Sequence, residues 1–508
     1  MRFHRFVFSF IIVAVLTESC QGERHSSDSS LNESYYASVS SEDLVVDSSV
    51  VHKSILSLIH DDVDKDASAR FVQDYYKAGH PLLWINRQGM DSRVDSLMFF
   101  LDKSKREGFS DKLVNYRQIE SDFNTAKDYL YTSNQPAGIV LARLEYSLSK
   151  AYLRYASVMG FGLVNPSALY NRLDHQDNDS TGNRFRELYG VPTKHADHSF
   201  FVTAVNKVTA DSIGIFLRAQ VPANPLYYQL VSMLNSDSLK GERRIKVLCN
   251  IERCRWRVND HPFMHSKYVQ VNLPAFRLYA VEGEQVLSMK VGAGTRRTKT
   301  PLLISRIKRI ELNPQWIIPR SIIDKDIIGH AEDPEYFERH HYFVRNKKTG
   351  EKLDLYNLTA ADLRNRDNHV VQEGGAGNSL GRIVFRFDNN YSVYLHHTST
   401  LGFFNRDDRS VSHGCVRVEQ PYDLARFLLK DKDEEFLQRI QYSMTVDLKS
   451  PYVDKGRLVS SVAVSPEIPL FITYYTIFID PTTKQTIELP DVYGYDRVLY
   501  EQLKKYGM

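Results

Sequence analysis

The spacing of apolar positions changes once along the chain, and that change divides it. From about residue 50 to 258, apolar residues recur at three- and four-residue steps. The run Leu141-Ala142-Arg143-Leu144-Glu145-Tyr146-Ser147-Leu148, continued by Tyr152, Tyr155 and Ala156, is the clearest case. Such spacing gathers apolar side chains on one side of a helix, so residues 50–258 are expected to form a helical scaffold domain. Nothing in this half groups titratable residues into a site. Near Tyr268 the period drops to two. Tyr268–Leu273 and Phe276–Val281 alternate, and Glu282-Gly283-Glu284-Gln285 can turn the chain into Val286–Val291, which predicts a hairpin. Arg382–Phe387 and Ser392–Leu395 read as further strands, so a mostly β domain is expected over residues 259–450. A polar, helix-leaning stretch from about 322 to 370 reads as an insertion between strands, either a lid or decoration. Residues 451–508 are read as a C-terminal extension packing on the scaffold or on the β domain. The expected class is α+β, a helical scaffold followed by a mostly β domain with a helix-containing lid insertion.

The first residues change the picture of where the chain resides. Arg2, His4 and Arg5 precede an apolar run, Phe6–Leu16, that is too short to span a bilayer. Residues 1–20 therefore read as a signal peptide. Cys20 stands where a lipoprotein signal places its lipidated cysteine, although Glu18 replaces the small residue usual there; simple cleavage is the alternative. Residues 21–49, with Ser26-Ser27-Asp28-Ser29-Ser30, read as a disordered tether. The expected location is the periplasm or cell envelope, with outer-membrane anchoring if Cys20 is lipidated.

Composition narrows the classes further. The 508 residues have room for two or three domains, and a net charge of +3 is too small an excess for a dedicated nucleic-acid binder. There are four cysteines, Cys20, Cys249, Cys254 and Cys415. Removal of Cys20 leaves an odd number, so at least one thiol is unpaired in an oxidising compartment. Cys249 and Cys254 are five apart in a helical segment, diverge too far for a disulfide, and read as buried apolar residues. No CxxC spacing suggests a zinc site.

The chemistry concentrates in Ser412-His413-Gly414-Cys415-Val416-Arg417, with His396 upstream. A thiol becomes a strong nucleophile as the thiolate, and a nearby imidazole can take its proton. The loop from His397 to Val411 can return the chain so that His396 and Cys415 meet. Gly414 lets backbone approach a substrate carbonyl, and the amides of Gly414 and Cys415 could form an oxyanion hole. If the stretch is extended, Arg417 shares a face with Cys415 and could bind a carboxylate at two points.

These residues resemble the signature of the YkuD-type L,D-transpeptidases. The S-H-G-C-x-R run follows an upstream histidine with fifteen residues between His396 and Ser412, a spacing that fits the family. The resemblance extends to the large, scaffolded murein type: Asn250–Trp256, Val271–Phe276, Thr300-Pro301, Asn313–Pro319, Gly375–Gly381, Ile472–Thr476 and Asp491–Gly494 are similar to its landmarks, and Tyr75–Lys77 with Pro81–Trp84 to its scaffold. There are two departures. Pro222–Leu234 runs almost directly into Ile245–Trp256, leaving no room for the small peptidoglycan-binding module that many members carry. His397 stands where Gly or Asp is common after the first histidine, so His397 also fits the spacing; His396 is preferred because Thr398 then falls on the family's Thr.

The resemblance implies a peptidoglycan L,D-transpeptidase acting on stem peptides, with carbapenem sensitivity and no need of a metal or organic cofactor. Cys415 would be acylated by a tetrapeptide stem with release of D-Ala, and the acyl group would pass to an amine of a second stem as a 3→3 cross-link. His396 would move the proton, and His413 would orient the site and support the thiolate. Arg417 would hold a stem carboxylate. Ser412 and Thr398 would be hydrogen-bond supports, and Tyr394 and Trp316 would line the groove. Wall-synthesis proteins are expected partners. The same residues would serve an L,D-carboxypeptidase or a ligase joining an envelope protein to the wall. A zinc or redox centre at His396, His397, His413 and Cys415 and a non-catalytic wall-binding module are the readings from other classes.

Overall fold

The computed structural model describes residues 48–86, 89–90, 92–175 and 184–508. The signal-peptide and lipidation readings, and the tether through residue 47, lie outside the described residues.

The helical half is organised around Ala137–Phe161. This helix is buried on nearly every side, as expected of one surrounded by other helices. It packs against Ser48–Asp61, Ala67–Lys77 and Tyr116–Lys127. Helix starts carry their own stop signals for the backbone: Asp66 accepts from Ser68 N–H, and Asn224 accepts from Leu226 N–H with Pro225 in the first turn. A carboxyl group sits inside this core. Glu145 accepts from the Tyr76 hydroxyl and Leu83 N–H, both at 2.5 Å, and from Trp84 N–H at 3.0 Å. Burial pushes its carboxyl up to about 7, and the three donors offset part of that cost. Cys249 and Cys254 are both free and buried on Gly241–Arg255.

The β half starts with the expected hairpin. Lys267–Asn272, Arg277–Glu282 and Gln285–Gly294 pair in sequence, with Gly283 at φ +57° in the tight turn. The ladder then runs from Lys267–Asn272 to Ser461–Thr473, to Leu302–Leu312 and to Ile383–Phe387. It returns through Leu395–His396 and Val416–Val418 to Gln285–Gly294. The strands therefore close into a ring, which removes the free edges of an open sheet. Leu278, Val291, Ile310, Phe385, Leu395 and Val416 are each fully buried in its core.

Two boundaries differ from the sequence reading. The segment after residue 450 does more than pack on a neighbour: Ser461–Thr473 lies between Lys267–Asn272 and Leu302–Leu312 as a central strand. Its prolines and a register shift between Ala463 and Ile468 masked its alternation. The scaffold also crosses the seam. Tyr189–Gly190 adds a parallel pair to Leu302–Leu303, and buried Arg253 pairs with Asp496 at 2.5 Å. The insertion is a small folded unit rather than only a polar helical stretch. Trp316–Ile317, Asn368–Gln372 and Tyr342–Asn346 form its sheet. Ile323, Ile327, Phe337, Val344, Leu363 and Val370 form a core separate from the main one.

The position of Ser461–Thr473 makes a stability prediction. Leu470 is fully buried in that strand. Leu470→Ala should cost about 2–5 kcal/mol in urea unfolding of the β domain. A change below ~1 kcal/mol would mean that the strand is not integral to the core.

Candidate active site

Two short parallel strands position the chemistry. Leu395 pairs with Val416, and His396 with Arg417. Paired residues in a parallel ladder point to one face, and alternate residues return to that face. Leu395, Val416 and Val418 point into the core, each with no exposed surface. His396, Cys415 and Arg417 therefore share the outer face, together with Tyr394. His397 is turned the other way. It packs on Gly381, and its Nδ1 accepts from Arg382 N–H at 3.2 Å. Of the two candidate bases, His396 is the one on the face of the thiol.

The strand reading upstream needs correction. Only Leu395–His396 is strand, not Ser392–Leu395. Asn389 captures the backbone first: its side chain accepts from Tyr391 N–H and Val393 N–H and donates to Val393 O, while Ser392 takes φ +53°.

The crossover between the two strands is held in several places. Arg409 donates to Val291 O and Phe276 O, at 3.2 and 3.0 Å. Phe403 lies against Gly292, where a Cβ would stand 2.6 Å from the ring. Ser410 and Ser412 pair with Ala293 and Gly294. The chain then turns sharply into Cys415, with Gly414 at φ +124°, a conformation that favours glycine.

Ser412 ties that turn together. It is buried, its hydroxyl donates to Cys415 O at 2.6 Å, and it accepts from Gly414 N–H at 3.0 Å. The Gly414 N–H is therefore engaged inside the turn and is not free for an oxyanion, as the sequence had suggested. The Cys415 N–H makes no hydrogen bond to another described residue. Thr398 is also buried and accepts from Thr400 N–H at 3.2 Å, a local tie within its loop. Trp316 pairs with Gln372 and packs on the insertion's core. His413 is exposed, and the groups that act on the thiol are the Tyr394 amide, Arg417 and Arg386.

The electrostatics follow from burial. Burial pushes the Cys415 thiol up; the Tyr394 amide, Arg417 and Arg386 act in the opposite direction. His396 is buried, and its Nδ1–H donates to His397 O at 2.5 Å. That bond leaves the lone pair on Nε2. Burial first, and Arg417 second, press the imidazole down to about 4. Arg417 is itself lowered by burial, and only the neighbouring thiol raises it. Its Nε is buried without a hydrogen-bond partner, and its guanidinium lies 5.8 Å from the Phe403 ring centre.

Sequence reasoning missed Arg386. Its guanidinium sits 4.3 Å from the Tyr394 ring centre and forms a 2.8 Å ion pair with Glu311. The signal was available: Arg386 is the one charged residue in Ile383-Val384-Phe385-Arg386-Phe387. A cavity of about 440 Å³ lies elsewhere, between scaffold and sheet, lined by Tyr189, Trp256, Tyr268, Phe471 and Tyr475. Cys415 does not line it. Among the described residues, no cluster of three or more His, Cys, Asp or Glu could hold a metal.

Two protein-family models match the chain. Residues 266–447 match the L,D-transpeptidase catalytic domain YkuD, and residues 70–234 match the Scaffold domain. The chain is 27% identical over 302 residues to a Haemophilus influenzae protein named "Putative L,D-transpeptidase". The match covers 57% of this chain and 58% of that relative. The chain thus joins a Scaffold domain to a catalytic domain of the YkuD L,D-transpeptidase family.

Proposed function

We propose that the protein is a peptidoglycan L,D-transpeptidase of the cell envelope, with Cys415 as nucleophile and 3→3 cross-links as product. One observation carries the reading. A half-buried guanidinium, Arg417, with no carboxylate raising it, stands on the same face as the free thiol and a neutral imidazole. A buried cation without an anion is costly, and a substrate carboxylate would offset that cost.

The proposed steps balance as follows. Cys415 Sγ attacks the carbonyl of the third stem residue while its proton passes to His396 Nε2. The oxyanion lies against the Cys415 N–H. His396 gives the proton to the departing D-Ala nitrogen, and a thioester remains. An amine of a second stem attacks the thioester, loses a proton to His396, and the thiolate recovers it. Arg417 holds a stem carboxylate throughout, which keeps the carbonyl within reach of sulfur.

The decisive measurement is product mass spectrometry. Disaccharide-tetrapeptide from a diaminopimelate-type wall is incubated with protein and with Cys415→Ala. The expected product is a dimer that has lost one D-Ala, absent with the variant. Tripeptide alone would indicate water as acceptor, and an unaltered substrate in both samples would favour a wall-binding module.

Two further outcomes are expected. Arg417→Ala should lower kcat/KM by about 10²-fold through lost positioning; an unchanged value would remove Arg417 from the site. The pH dependence follows from the two opposed shifts. His396 is neutral above about pH 4, and the raised thiol keeps its proton at neutral pH. Iodoacetamide alkylation of Cys415 should therefore keep accelerating beyond the ordinary thiol value of about 8.5. A plateau by pH 7 would instead indicate a resting thiolate–imidazolium pair.

A further inference from the structure

The Ser412–Cys415 turn is held from outside as well as from within. Its Ser412 carbonyl accepts from Thr295 N–H at 3.0 Å and from the Thr298 hydroxyl at 2.8 Å. Both donors belong to the loop Thr295–Thr300, which is anchored on its far side by groups remote in sequence. The buried Tyr493 hydroxyl donates to Gly294 O at 2.7 Å and accepts from Thr300 N–H at 3.2 Å. Tyr493 is fixed in turn: its N–H donates to the Tyr474 hydroxyl at 2.8 Å, which donates to Asp491 at 2.6 Å. Arg296 donates to Val492 O at 3.0 Å. From the scaffold, Asp174 forms an ion pair with Lys299, with both side chains largely buried. Arg186 donates to Arg297 O at 3.2 Å. The loop is thus gripped between the scaffold, the C-terminal tail and the nucleophile's turn.

We infer that Tyr493 and the Asp174–Lys299 pair are positioning residues for acyl transfer, acting through the Thr295–Thr300 loop on the Ser412 carbonyl and so on the direction of the Cys415 N–H. The inference rests on the acyl-transfer reading above. It gives the scaffold a part in the chemical step. With Gly414 N–H engaged by Ser412, the direction of one amide decides how well a tetrahedral oxyanion is met. A turn that relaxes by a few tenths of an ångström leaves the thiol where it is but lengthens that hydrogen bond.

Two electrophiles separate positioning from everything else. Iodoacetamide takes sulfur by displacing iodide at a saturated carbon and needs only the nucleophile. A carbapenem is attacked at its ring carbonyl: the S–C bond forms, the ring C–N bond breaks, and the nitrogen takes a proton. That reaction passes through an oxyanion. Both rates are measured by mass spectrometry on the full chain, for wild type, Tyr493→Phe and Asp174→Asn. Lys430→Ala, which removes an exposed pair with Glu282, is the control. The ratio of acylation to alkylation should fall about 10-fold in Tyr493→Phe, fall by less in Asp174→Asn, and stay at the wild-type value in the control. Alkylation is read at Cys415 by peptide mapping and only on the folded fraction isolated by gel filtration, because an unfolded chain still alkylates but no longer acylates. If Tyr493→Phe does not fold, Asp174→Asn carries the test. An unchanged ratio in the folded variants, including equal losses in both rates, would overturn the inference. A wild type that alkylates but never acylates would instead sink the acyl-transfer reading itself.

Discussion

The parallel pairing of Leu395–His396 with Val416–Val418 is the constraint on which the site depends. Its register places His396 beside Arg417 and, by alternation, Cys415 on the same outer face. The opposite face carries Leu395, Val416 and Val418, all fully buried. One burial pattern therefore fixes both core and chemistry. A slip of one residue would send the apolar side chains outward and the thiol inward. Parallel neighbours also need a crossover, which explains why residues 397–415 form a long excursion fastened by Arg409 and Phe403.

Within that frame, burial is the largest influence on the Cys415 thiol, the His396 imidazole and the Arg417 guanidinium. It drives Cys415 and His396 toward their neutral forms and lowers Arg417. The guanidiniums of Arg417 and Arg386 partly compensate the thiol, and the same Arg417 charge opposes protonation of His396. A site arranged this way rests as thiol plus neutral imidazole. That pairing keeps sulfur less exposed to chance oxidation than a standing thiolate would be.

Much of this was legible from the chain. The hairpin over 267–294 shows its period of two, and the helix over 137–161 its three- and four-residue steps. The Ser412–Arg417 run shows a thiol after a glycine and two residues before a cation. Other features need partners that the local pattern does not contain. His396 and His397 are adjacent, and only the register with Arg417 tells which ring faces the thiol. Ser392–Tyr394 looks like strand until the Asn389 side chain takes its backbone groups. Gly414 looks like an oxyanion donor until the Ser412 hydroxyl is seen to hold it. The insertion's core is assembled from single apolar residues spread over Ile323 to Val370, too sparse to show a period.

The ring of strands closes only when the C-terminal segment is in place. Ser461–Thr473 separates Lys267–Asn272 from Leu302–Leu312, so the β core cannot be completed from residues 266–447 alone. The chain beyond this strand then returns to the Thr295–Thr300 loop through Tyr474 and Tyr493, and to the scaffold through Asp496 and Arg253. Contacts that distant in sequence carry a large loop-closure cost, and burying Leu470 and Ile472 offsets part of it. The thiol's turn is consequently supported, through the Thr295–Thr300 loop, by groups from the scaffold and the C-terminal tail. Scaffold, sheet and tail therefore meet at the loop behind Cys415, even though the family domains divide them.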